Sequence, residues 1–147
     1  MTGLSAGGSG DRGAASVELA ILAPAMLLVF AVLIVGGRVA LASDSITGVA
    51  GTAARDASLA RDAGQAQQIA ATSAQEELAA QGLQCDGGPR VSVDVSGFAA
   101  PPGQPAVVRV DVTCKVRLSD IGTPGLPGFR TLTDSASSPI DPYRGGS

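Results

Sequence analysis

Apolar and polar positions follow three regimes along the chain of 147 residues. A polar, glycine-rich start, "MTGLSAGGSGDRG", precedes an uncharged apolar run from Leu19 to Gly37. A helix of about 20 such residues crosses a hydrocarbon layer of about 30 Å, so the run predicts one membrane span. From Arg38 the period is helical. Val39, Ala42, Ile46, Val49, Ala53, Ala57 and Ala60 recur at steps of three and four. Asp62 with Gln65 three residues later has the form of a capping box, and Gly64 lies between them, so a break or kink is expected near 62–64. A second helix should run to about Gln81. There Gly82 suits the left-handed residue past a helix end, with Leu83 folding back on Leu78.

The period then drops to two. "RVSVDVS" puts Val91, Val93 and Val95 on one face. "VVRVDVTCKVRLS" puts Val108, Val110, Val112, Cys114, Val116 and Leu118 opposite Arg109, Asp111, Thr113, Lys115 and Arg117. Such alternation predicts half-buried antiparallel strands. "GFAAPPGQPA" between them reads as a loop without regular structure. A third strand is expected over roughly 129–137, after the turn-rich "IGTPGLPG", and the final "SPIDPYRGGS" reads as a fraying tail. The expected fold class is α+β: a long, kinked N-terminal transmembrane and stalk helix, then a small antiparallel sheet of about three strands.

Composition narrows what such a chain can do. Hydrophobic residues make up 45%, yet the aromatics are only Phe30, Phe98, Phe129 and Tyr143, while alanine occurs 25 times. That suits thin, closely approaching helices better than a thick core. The net charge is −3 and no basic run stands out, which argues against a nucleic-acid partner. The absence of His removes the commonest general base and transition-metal ligand. No phosphate-binding G-x-x-x-x-G-K-[ST] occurs, and Glu76 and Glu77 lie among alanines on a polar helix face. No enzymatic activity, metal or cofactor is therefore expected. Cys85 precedes the first strand and Cys114 is in phase with the inward valines. Outside the cytosol they would form a disulfide between helix exit and sheet; inside it they would remain buried thiols.

The N-terminal run admits three interpretations. A cleavable secretory signal would use "ALA" at Ala40–Ala42, although the run exceeds the usual apolar region of about 7–15 residues. A plain membrane anchor leaves Glu18, at the mouth of the run, without a purpose. The third starts from Arg12 and Gly13, then Ala14, Ala15, Val17, Glu18 and Pro24. This pattern resembles the type IV prepilins, and more closely the TadE-like pseudopilins of tight-adherence (Tad/Flp) pilus systems. Ala53–Arg55 and the C-terminal residues also resemble that family, whereas Leu19 stands where an aromatic residue often follows the Glu.

The resemblance implies cleavage between Gly13 and Ala14 by a prepilin peptidase at the cytoplasmic membrane face. It also implies partners among other pilins and pseudopilins and the Tad inner-membrane assembly platform. Independently of it, a carboxylate at the mouth of a membrane helix persists best with a partner. The α-amino group that cleavage would create at Ala14 of a neighbouring copy is one such partner; an interfacial cap on its own helix is the alternative for Glu18. Pro24 either sets a bend or register for assembly or is simply tolerated, as proline often is in spanning helices. The alanine face of 39–60 either packs against other subunits or covers this chain's own sheet. Arg12 with the amino terminus favours an N-terminus inside and the rest outside the cytoplasmic membrane.

The expected division is a leader over 1–13, a transmembrane and assembly helix over 14–37, exported stalk helices over 38–82 and a β head over 83–147. The functional expectation is a minor pseudopilin that acts in pilus assembly by helix packing. The alternative is an uncleaved, single-pass anchored binding or sensing domain.

Overall fold

A computed structural model describes residues 11–121 and 127–143, with side-chain environments from Val17 onward. Residues 1–10 of the expected leader, 122–126 of the turn-rich segment and 144–147 of the tail lie outside the described residues. The elements are α1 (Asp11–Ser58), α2 (Ala63–Ala80), β1 (Arg90–Asp94), β2 (Ala106–Arg117) and β3 (Phe129–Ile140). The chain divides into two compact units between Gly37 and Arg38. The first contains the apolar run on α1; the second, the head, contains everything after it.

The head is an α-hairpin over one face of an antiparallel sheet in the order β1-β2-β3. Alanine makes the layer thin. Ala42, Ile46, Val49, Ala50, Ala53, Ala54, Ala57 and Ala60 are buried on the α1 side, and Ala66, Ala70, Ala74 and Leu78 on α2. They share one core with Val108, Val110, Val112, Cys114 and Val116 of β2 and Leu132 and Ile140 of β3. The alanine face thus covers the chain's own sheet, one of its two expected roles. Val39, at the head of the stripe, is only half-buried. α1 and α2 are antiparallel: the Ser73 hydroxyl donates to Asp56 near the turn, and Gly48 lies opposite Gln81 at the far end.

The helix break falls at 59–62, slightly before the expected place. Asp62 caps α2 by accepting from the Gln65 backbone N–H at 2.8 Å. The Gln65 side chain reaches back one residue further than a capping box would, to the Arg61 N–H at 2.9 Å. At the other end Gly82 has φ +68°. The Leu83 N–H donates to the Leu78 carbonyl and the Gly82 N–H to the Ala79 carbonyl, both at 3.0 Å, which is the Schellman closure the sequence predicts. Helix α1 continues through Pro24.

Three sheet details differ from expectation. The segment expected to lack regular structure contains a 3-10 turn at Ser96–Ala99. It forms because Gly97 lies against the backbone of Val107, where a Cβ would come within 2.3 Å of the carbonyl oxygen. Strand β3 extends to Ile140 and takes in the first residues of the expected tail. Ala106–Val108 of β2 offer it pairing positions, and Ser138 and Ile140 turn inward and are buried. Pro139 is accommodated because β3 is an edge strand, where a missing N–H need not break the ladder. Finally, β1 ends at Asp94, so Val95 falls outside the strand, while Val91 and Val93 pack half-buried against the core as their alternation predicts.

Cys85 and Cys114 form a disulfide across a sequence separation of 29 residues. It ties the exit of α2 to the middle strand, beside the Asp86 N–H bond to the Lys115 carbonyl at 2.7 Å. A loop of this length stabilises the folded state by about 3–4 kcal/mol in the chain-entropy treatment. Urea titration of the head with and without reductant should reproduce a difference of this size, and matching midpoints would contradict the assigned role.

Candidate assembly site

Glu18 and Pro24 lie on α1 in the first unit, and Gly13 and Ala14 are in its first turn. Glu18 is exposed. Among the described residues it has no hydrogen-bond or ion-pair partner. The five consecutive residues Met26, Leu27, Leu28, Val29 and Phe30 are each more than half exposed. At about 100° per residue, five in a row occupy every face of the helix. The apolar surface therefore surrounds the helix rather than forming one stripe, as in a helix immersed in an apolar medium. Removing each large side chain from water is favourable by about 1.5–3 kcal/mol, so this segment as a whole calls for cover on the order of tens of kcal/mol. Its length and composition suit a single membrane crossing.

The structure brings Cys85 and Cys114 together in the head, while Glu18 and Pro24 are six residues apart along α1 in the first unit. Arg55, in the last turn of α1, is exposed beside the buried Ala53 and Ala54. Among the described residues no group of three or more Cys, Asp or Glu side chains is arranged to hold a metal ion.

Polar ties in the head join residues far apart in sequence. The Thr47 hydroxyl of α1 donates to the Asp134 carboxylate of β3, and Ser58 and Ser138 meet at 3.1 Å. Arg117 donates to Asp86 at 2.9 Å. The pattern that reveals strands carries no mark of these pairings, since Thr47 and Asp134 are 87 residues apart. The Thr47 hydroxyl, and then the Ser135 N–H, hold the Asp134 carboxyl below its ordinary range. The Ser96 backbone N–H does the same for Asp94. The bond to Asp86 raises the Arg117 guanidinium further above its already high value.

A family model described as TadE-like protein matches residues 13–55. The match starts at Gly13 and takes in Ala14, Glu18, Pro24, the whole apolar run and the Ala53–Arg55 triplet. The N-terminal segment is thus similar to TadE-like proteins, as its residues suggest. Neither a curated protein nor a solved structure matches the chain.

Because the Asp134 and Asp94 carboxyls are lowered in the folded state, their contribution is present above the unfolded value of about 3.9 and is lost as pH falls through the lower folded values. Urea midpoints of the head should therefore decline as pH drops from about 5 towards 3. Asp134→Asn should flatten part of that decline; an unchanged slope would show that the Thr47–Asp134 bond carries none of it.

Proposed function

We propose that the chain is a TadE-like minor pseudopilin that takes part in Tad pilus assembly. It would be inserted with its N-terminus inside, cut between Gly13 and Ala14, and built into or onto a thin pilus by helix packing. The observation that carries this is the TadE-like match over residues 13–55, coinciding with a helix whose apolar surface is exposed among the described residues.

Glu18 supplies the directional element. Apolar packing alone leaves neighbouring helices free to slide, because one leucine is exchanged for another at nearly constant energy. A carboxylate near the membrane boundary removes that freedom. Isolated, it is costly, by about 2.5–3.5 kcal/mol at full depth and less near the interface. Paired with a cation in a medium of low dielectric constant, it is held at one register. Cleavage after Gly13 would create that cation at Ala14, an α-amino group protonated below about pH 8. It would also put Glu18 in the first turns of the shortened helix, where a negative charge suits the helix dipole. Ala14 and Glu18 are four residues apart and so share one face of the helix; the amino group of an adjacent subunit, which that spacing does not constrain, is the partner that would fix register between copies. The reading assigns the chain no reaction of its own. The peptidase, the assembly platform and the energy source are separate proteins, and the disulfide-tied head is the part presented outside.

The mass of the N-terminal peptide from membrane-extracted protein tests the processing step. A chain starting at Ala14 is expected; an intact Met1 would favour the uncleaved anchor, and a start at Ser43 a secretory signal. Glu18→Ala should leave membrane insertion intact while reducing co-purification with other pilins several-fold, and undiminished association would remove the role given to the carboxylate.

A further inference from the structure

Residues distant in sequence gather at one end of the head. Arg38, which directly follows Gly37, and Leu41 line a cleft with Val116, Asp120 and Ile121. Ser43 and Thr47 line another with Arg130 and Leu132. The paired end of β2 and β3 therefore lies beside the first turns that α1 makes within the head. On the outer face of the sheet at that end, Phe129 is 51% exposed. The Lys115 Nζ is 4.3 Å from its ring centroid and the Arg117 Cζ 5.9 Å. Leu41 is 68% exposed, and Arg38 and Arg130 are exposed as well.

This is not a polybasic patch. Asp86 pairs with Arg117, and Asp44 and Asp120 are exposed nearby. Its character is amphipathic: an aromatic ring and a leucine, held in water, with long cationic side chains around them. Aromatic rings and snorkelling Arg and Lys are the groups enriched where protein meets the headgroup layer of a bilayer. Chain connectivity supplies the second observation. The headgroup layer extends about 5–8 Å beyond the hydrocarbon on each side, and Leu41 lies about 5 Å along the helix from Arg38, the first residue past the apolar run.

We propose that this end of the head docks on the phospholipid headgroup layer of the membrane that α1 enters. Phe129 and Leu41 reach towards the acyl boundary, and Arg38, Lys115 and Arg130 bond lipid phosphates. The proposal rests on the membrane-anchored reading given above. It makes the membrane surface a resting place for the head, from which incorporation into a pilus has to lift it.

The chain contains no tryptophan, so Phe129→Trp introduces a single reporter. Leu59→Trp provides the comparison, since Leu59 is 82% exposed and lies about 30 Å further along the helix from Arg38. Each full-length variant is placed in phosphatidylcholine–phosphatidylglycerol vesicles whose acyl chains are brominated near the headgroups, and fluorescence quenching is recorded alongside vesicle flotation. The expected result is several-fold stronger quenching at position 129 than at 59, and its loss when Lys115→Glu and Arg130→Glu are added. Equal quenching at the two positions in protein that floats overturns the docking and leaves the anchor standing. Protein that does not float overturns the anchor and the docking with it.

Discussion

The contact on which the structure depends is the alanine stripe of α1 and α2 packed against the valines of β2. Side chains this small contribute little individually, and the layer they form is thin. Its strength lies in close approach: Val49, Ala53, Ala57, Ala66, Ala70 and Ala74 retain no exposed surface, and neither do Val108, Val110 and Val112 across from them. A larger residue on either side would force the layers apart, at a typical cost of about 1–3 kcal/mol. The disulfide at Cys114 reinforces the middle of this layer from the side where β1 stops short. Small domains with thin cores commonly rely on such a covalent tie.

That packing also decides what is left over. The helical pattern from Val39 onward is used up inside the head, so the stripe is not free to join other subunits. The run from Leu19 to Gly37 belongs to the other unit and is exposed among the described residues. One continuous helix thus carries apolar surface of two kinds, one satisfied by the chain itself and one that requires lipid or other helices. The proposed role in pilus assembly accords with this division, because assembly could exploit the second kind without disturbing the first. In that proposal Glu18, the acid directly before the run, supplies the register that apolar packing alone does not.

Much of this was legible in the sequence because it is local or periodic. The apolar run shows itself by length, α2 by Asp62, Gln65 and Gly82, and β2 by its unbroken alternation. The pairing of Cys85 with Cys114 was one of two alternatives, and phase with the valines was its clue. What was not legible depends on partners distant in the chain. Ser138, Pro139 and Ile140 resemble a tail until Ala106–Val108 are seen beside them. The turn at Ser96–Ala99 exists because Gly97 meets Val107, a contact with no signature in the intervening prolines. The Thr47–Asp134 bond joins two ordinary polar residues and has no periodicity to announce it. As for Gly13, Ala14 and Glu18, their significance came from pattern and resemblance rather than from contacts, since their proposed partners belong to other molecules.

The central claim is that the head completes its own core, whereas the apolar run before Arg38 depends on lipid or other helices for cover. Its most direct measurement is the solution behaviour of residues 38–147 produced alone under oxidising conditions. The account predicts a monomer in detergent-free buffer that unfolds in one cooperative transition with the Cys85–Cys114 bond intact. A fragment that aggregates or remains unfolded without residues 1–37 would contradict it.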